Sequence, residues 1–251
     1  MDSIFPKFDR GEIFLMLEMQ LEAIYRKIFF GSAKKRYASH CIFRSGQEID
    51  ELMFRGFEVR RSDSSQLTKT IMEKLFDMLL RQDKERDEVL RYVGDEIDRI
   101  RKGNFKFSEI GIPKGMSRDI QEYGKKQTND YKEKGIPANI RGARYAVSQL
   151  GVDISSKPKM IYVTKMPDGY EPTDVLCFDE DSQVPPGTEV DIEKMLDRLI
   201  RKKLEPIFEA LGWKMSTLDV HWKGKPAKLG EQPVLFSITD YGVKNKFSEI
   251  V

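Results

Sequence analysis

Cysteine and histidine are nearly missing from this 251-residue chain: it has two of each, Cys41, Cys177, His40 and His221. The cysteines are far apart and outside any CxxC spacing, so they fit reduced thiols and supply no metal framework. The histidines are too few and too scattered for a zinc site and point to ordinary structural or surface roles. Ser-His and Cys-His nucleophilic chemistry therefore has little material. Neither a GxGxxG nor a GxxxxGK[ST] run occurs, which excludes the common phosphate-cradling loops. No apolar run approaches the roughly 18 residues of a membrane span. The start, Met1-Asp2-Ser3-Ile4-Phe5-Pro6, lacks a basic segment followed by an apolar one, so no signal peptide is expected.

Charge is abundant. Charged residues make up 33% of the chain, and the formal net charge is +2. That small total hides a segregated pattern. Arg26 to Arg61 holds nine bases against four acids, and Arg101 to Arg144 eleven bases against five. Asp168 to Asp197 holds ten acids and one base, Lys194. Basic stretches attract phosphate by counterion release. The bland reading is that all three are solvated helix faces.

The hydrophobic pattern changes near residue 62. Before it, Glu12–Met19, Glu22–Phe30, Tyr37–Phe43 and Phe54–Val59 read as strands, with turns at Gly31-Ser32 and Ser45-Gly46. After it, Leu67, Ile71, Leu75, Met78 and Leu79 recur at helical spacing behind a possible cap at Asp63-Ser64-Ser65. Val89, Val93, Ile97 and Ile100 continue the period in a second helix stopped by Lys102-Gly103-Asn104. Phe105–Ile112 reads as a short strand ended by Pro113, and Ser117–Tyr123 as one or two helical turns. A helix follows Pro137 and ends at Gly151, a strand spans Lys159–Met166, and Pro185-Pro186-Gly187 is a turn. Asp191–Leu211 is a long helix that Pro206 should kink. From Trp213 onward few periodic signals remain, and a loosely structured tail is expected. Lys106-Phe107-Ser108-Glu109-Ile110 recurs as Lys246-Phe247-Ser248-Glu249-Ile250. Chance is the bland reading of that repeat; a tail that mimics the earlier strand is the other.

Lys34-Lys35-Arg36-Tyr37 follows an apolar strand and a turn, then re-enters a strand. Strand alternation would put Lys35 and Tyr37 on one face and Lys34 and Arg36 on the other. A guanidinium forks onto phosphate and a phenol donates a hydrogen bond, so the tetrad suits backbone contacts to a nucleic-acid duplex. Glu22 is the best lone carboxylate. It is either a site residue or an edge carboxylate paired with Arg26 or Lys27.

The order of motifs adds specificity. Phe29-Phe30 before Lys34-Lys35-Arg36-Tyr37-Ala38 resembles the KKRY motif late in the palm of family B DNA polymerases, and Leu17–Glu22 resembles the palm strand before it. Arg55-Gly56-Phe57-Glu58-Val59-Arg60-Arg61-Ser62-Asp63 resembles the archaeal RGLEVVRRD segment that leads into the thumb. Ile112-Pro113-Lys114 through Arg118-Asp119-Ile120-Gln121-Glu122-Tyr123 resembles the thumb segment IPK…RDLxxY. Ile140-Arg141-Gly142-Ala143-Arg144-Tyr145-Ala146 resembles its VRGAKYA helix, and Ser156-Lys157-Pro158-Lys159 the start of the next strand. Asp191–Leu211 resembles the last long thumb helix.

The resemblance implies an α+β fold: a small antiparallel palm sheet in residues 1–62, a mainly helical thumb in 63–213 and a tail in 214–251. It implies that Lys34, Lys35, Arg36 and Tyr37 hold primer–template near the nascent pair, and that Arg55, Arg60 and Arg61 touch duplex backbone at the palm–thumb junction. Lys114, Arg118, Tyr123, Arg141 and Arg144 would line the thumb side, and Glu22 aligns with a palm carboxylate close to the metal site. The family's DxxSLYPS, DTD and KxxxNSxYG motifs are not in the sequence. The chain thus looks like the small subunit of a split, archaeal-type polymerase. Its large partner would carry exonuclease, fingers and catalytic aspartates. Nucleotidyl transfer would occur only in that heterodimer, with Mg2+ bound there and none by this chain alone. The first strands would lack sheet neighbours without the partner, which makes association obligate. The acidic stretch should lie on the outside of the thumb. No QxxLxxFF-like clamp box is evident, so sliding-clamp binding through the tail is not expected; nor is a membrane, and the location would be the cytoplasm, at the nucleoid. The alternatives are a stand-alone DNA-binding or regulatory remnant, and a fragment of a whole polymerase.

Overall fold

The computed structural model describes residues 21–31, 34–117, 136–215 and a short strand at 235–237. The expected strand at Glu12–Met19 lies outside these residues. The fold is α+β, with two antiparallel sheets and several helices among the described residues.

The first sheet contains β1 (Ala23–Phe30), β2 (Tyr37–Arg44), β3 (Gln47–Arg55) and, from the far end of the chain, β8 (Leu235–Ser237). Their order is β3-β2-β1-β8, all antiparallel. The expected strand at Phe54–Val59 is corrected: β3 begins at Gln47 and ends at Arg55, and Glu58–Arg60 is a 3-10 turn. Glu48, Asp50 and Glu51 hid the start of β3, because an edge strand tolerates charge on both sides. The loosely structured tail is corrected at 235–237. There β8 pairs with Lys27, Ile28 and Phe29, so over those residues β1 has a neighbour on each side.

Ala38, Ser39, His40 and Cys41 are all buried, so both faces of β2 are covered, and one of them packs on the helices. Phe29, Ala38 and Phe54 lie side by side across β1, β2 and β3 and are buried. They pack on Phe57 and on Phe76, at the end of α1 (Gln66–Phe76). Phe76 lies 4.8 Å from Phe57, 5.4 Å from Phe29 and 5.9 Å from Phe54, centroid to centroid. Burying each such ring stabilises by about 1.5–3 kcal/mol, and each tilted pair adds roughly 0.5–1.5 kcal/mol. Ion pairs fasten the same face at its rim: Arg26 and Lys27 to Asp83, and Arg81 to Asp50. Buried His40 places Nε2 2.7 Å from Asp50.

The helices follow the apolar periodicity. The Ser65 hydroxyl accepts from the Thr68 amide at 3.2 Å and starts α1. Leu67, Ile71, Met72 and Leu75 are buried, and a π turn at Asp77–Arg81 extends the helix. α2 (Arg86–Arg101) buries Val89, Val93, Ile97 and Ile100. The expected strand at Phe105–Ile112 is corrected to a single helical turn, α3 (Phe107–Ile110), and a two-residue strand, β4 (Ile112–Pro113). Aromatic packing wins there: Phe107 sits edge-on to both Phe105 and Phe178. The first copy of the five-residue repeat is therefore helical, and the second lies outside the described residues.

The mainly helical part also holds a second sheet. α4 (Ala138–Tyr145) begins behind Pro137 and continues as a π turn to Leu150, before Gly151. β5 (Lys159–Lys165) pairs with β4, with β6 (Val175–Phe178) and with β7 (Glu189–Val190). β6 went unread because its four residues are all buried and show no alternation. α4 lies close on β6 because residue 142 is glycine: a Cβ there would sit 3.0 Å from the Cys177 nitrogen and Sγ. The long last helix runs as α5 (Ile192–Leu196), a π turn (Asp197–Arg201) and α6 (Lys202–Ala210), and passes through Pro206. The buried Thr68 hydroxyl donates to the Leu199 carbonyl at 2.8 Å and ties α1 to that helix. One continuous core joins both sheets and the helices between them.

Candidate nucleic-acid interface

The basic tetrad lies at the turn between β1 and β2. The Gly31 amide donates to the Arg36 carbonyl at 2.8 Å and closes the turn. Lys35 has φ 60°, a left-handed conformation uncommon outside glycine. That residue breaks the strand alternation expected for the tetrad. Lys34 and Lys35 are exposed turn residues. Arg36 and Tyr37 then leave on opposite faces.

Arg36 turns toward the core. Its guanidinium lies 4.6 Å over the Phe57 ring, and Nη2 donates to Glu58 Oε2 at 2.6 Å. Glu58 is itself buried, and its other oxygen accepts from Lys203 on α6 at 3.4 Å. Tyr37 takes the other face. It pairs in register with Phe30 on β1 and Arg55 on β3, so three side chains form a row across the sheet. Phe30 is 42% exposed and its ring centroid is 6.2 Å from that of Tyr37.

Gly56 seats the turn. Its φ is +70°, and a Cβ would fall 2.9 Å from the Lys35 carbonyl oxygen and 3.2 Å from the Arg36 Cα. The backbone after β3 thus supports the lysine turn directly. Gly56, Phe57 and Glu58 are the residues that sequence reasoning left without a role, although all three stand in the Arg55–Asp63 motif.

A family model described as DNA polymerase family B matches residues 10–211. The chain belongs to DNA polymerase family B. Among curated relatives, the DNA polymerase of Archaeoglobus fulgidus is 30% identical over 134 residues, which cover 53% of this chain and 16% of that protein. DNA polymerase 2 of Aeropyrum pernix is 28% identical over 135 residues, 50% of this chain and 16% of its own length. The DNA polymerase of Thermococcus aggregans is 30% identical over 122 residues, 47% of this chain and 6% of its own length. The chain therefore spans only a small part of these polymerases.

The remaining family-type residues divide by partner. Arg61 is bidentate on Asp63, at 2.8 Å through both Nε and Nη2. That guanidinium holds the Asp63 carboxyl well below the usual range, and Lys114 adds to the effect. Arg141 is bidentate on Asp174, with Nη2 to Oδ2 at 3.0 Å. Arg144 is half-buried on α4. Arg60 lines an open groove of about 580 Å3 between β3 and α1, with Glu51, Thr70 and Glu73. Arg118 and Tyr123 lie outside the described residues.

Glu22 is exposed just before β1. The pairing with Arg26 or Lys27 is corrected, because both of those cations bind Asp83 instead. Among the described residues no three His, Cys, Asp or Glu side chains converge as a metal site would require. Glu22 alone does not compose a Mg2+ site. Much of the acidic stretch serves the fold: Glu193 binds Arg101 and Arg201, Asp174 binds Arg141, and Asp179 accepts from the Ser155 amide. Among the described residues no helix is long and apolar enough to cross a membrane.

Proposed function

We propose that this chain is the small subunit of a split family B DNA polymerase, completing the palm with residues 1–62 and supplying the thumb with 63–213. It grips primer–template duplex, and the catalytic aspartates, their Mg2+, the exonuclease and the fingers belong to a large subunit. The observation that carries this reading is the built turn at Lys34-Lys35. Two exposed cations stand beside the Phe30–Tyr37–Arg55 row, and Gly56, Phe57 and Arg36 hold them from beneath. Family membership supports it, as does the order of the segments that carry the resemblance.

A turn of this kind offers charge to phosphate and an apolar–phenolic surface to a groove edge. It is sequence-tolerant, which suits an enzyme that copies any template. The test is primer extension by the large subunit with and without this chain. Extension and processivity should depend on its addition. If the large subunit extends primers equally well alone, the split-subunit reading fails. Duplex binding without any effect on extension would leave a stand-alone DNA-binding protein in its place.

A further inference from the structure

We propose that Glu58 is a positioning residue that locks the lysine turn to the last long helix; the consequence for DNA rests on the reading above. Glu58 is 4% exposed, where an unbalanced carboxylate would be costly. Its two oxygens meet cations from distant parts of the chain. Oε2 accepts from Arg36, 22 residues away, and Oε1 from Lys203, 145 residues away. Arg36 is also sandwiched, with Phe57 under its guanidinium and Gly31 against its aliphatic stem. A single carboxylate therefore joins the turn after β1, the 3-10 turn after β3 and α6.

Removing this charge takes away the counter-ion that Arg36 and Lys203 share. Arg36 is the residue next to Lys35, so its release frees the turn that presents both lysines. Lys203 is on the helix that resembles the end of the thumb, so the same event loosens that helix from the sheet. The buried carboxylate makes the lock less sensitive to salt than the exposed lysines it positions.

The sign of the effect separates positioning from simple charge. Glu58 is an acid beside a phosphate-binding turn. If only its field mattered, Glu58→Gln would tighten binding to a polyanion. Positioning predicts the reverse, a loss of about tenfold, within the usual range for coupling between sites. The experiment uses the full chain and a short primer–template duplex. Fluorescence anisotropy gives affinity, and hydrogen exchange follows the Gly31 amide that donates to Arg36. Glu58→Gln should weaken binding and speed exchange at Gly31, and Glu58→Asp should recover part of both. Unchanged or tighter binding with unchanged Gly31 exchange overturns the proposal. If Glu58→Gln does not fold, Lys203→Met decides, because it keeps the Arg36–Glu58 pair: faster exchange at Gly31 supports the lock, and unchanged exchange refutes it. If wild-type protein binds no duplex, the functional reading fails while the exchange data still judge the lock.

Discussion

Replacing the three cations of the tetrad separately should split what the sequence presents as one basic patch. Lys34 and Lys35 are exposed and carry no ion pair among the described residues, whereas Arg36 is tied to Glu58 and Phe57. Each phosphate neutralised contributes about 0.9 to the slope of log affinity against log salt, so six contacts give a slope of about −5. Lys34→Ala/Lys35→Ala removes two such contacts and should flatten the slope by about 1.8. Between roughly 50 and 200 mM salt, its affinity deficit relative to wild type should then shrink about tenfold. Thermal stability should not change, because both residues are exposed. Arg36→Ala should lower thermal stability instead. The Arg36 side chain is 22% exposed and that of Glu58 only 6%, so the variant strands a buried carboxylate with one weaker partner, Lys203. A cost of about 2–4 kcal/mol follows, lowering Tm by roughly 5–10 °C for a chain of this size. The assays are duplex binding titrated across salt and thermal unfolding followed by circular dichroism. An unchanged slope in the double lysine variant would remove the turn from the interface. A stable Arg36→Ala variant would show that Glu58 does not depend on it.

Two further outcomes test the scaffold. Gly142→Ala places a methyl 3.0 Å from the Cys177 nitrogen and 3.1 Å from the Leu176 carbonyl carbon, both backbone, and should cost about 1–3 kcal/mol in thermal unfolding. Gly115→Ala, whose added methyl meets nothing within 4 Å, is the neutral control. Asp63 should make stability pH-dependent in a stated direction. Arg61 depresses its folded pKa below the ordinary value of 3.8, so its contribution is present above that value and is lost as pH falls through the folded pKa. The Tm advantage of wild type over Asp63→Asn should therefore shrink between about pH 6 and about pH 2.5; a constant advantage would show that the pair adds nothing.

Long periodic segments were legible because burial imposes a repeat that no short-range feature mimics. The stripes of α1 and α2, the strands β1, β2 and β5 and the last helix all stand where the apolar spacing places them. What escaped was short, charged or fully buried. The start of β3 carries glutamate and aspartate on an open edge, β6 has only four residues, and α3 is one turn held by neighbouring rings. β8 could not be read locally, because three residues become a strand only beside β1.

The sequence by itself determined the α+β class, the segregation of charge and the family-like order of the basic motifs. Only the tertiary structure decided what each cation does. Adjacent bases in a motif carry the same formal charge, so sequence treats Lys35 and Arg36 alike. One left-handed residue at Lys35 turns them apart, sending one to solvent and the other onto Phe57 and Glu58. The partner that fixes Arg36 in place also reaches Lys203, and that contact exists only because the chain returns after 145 residues.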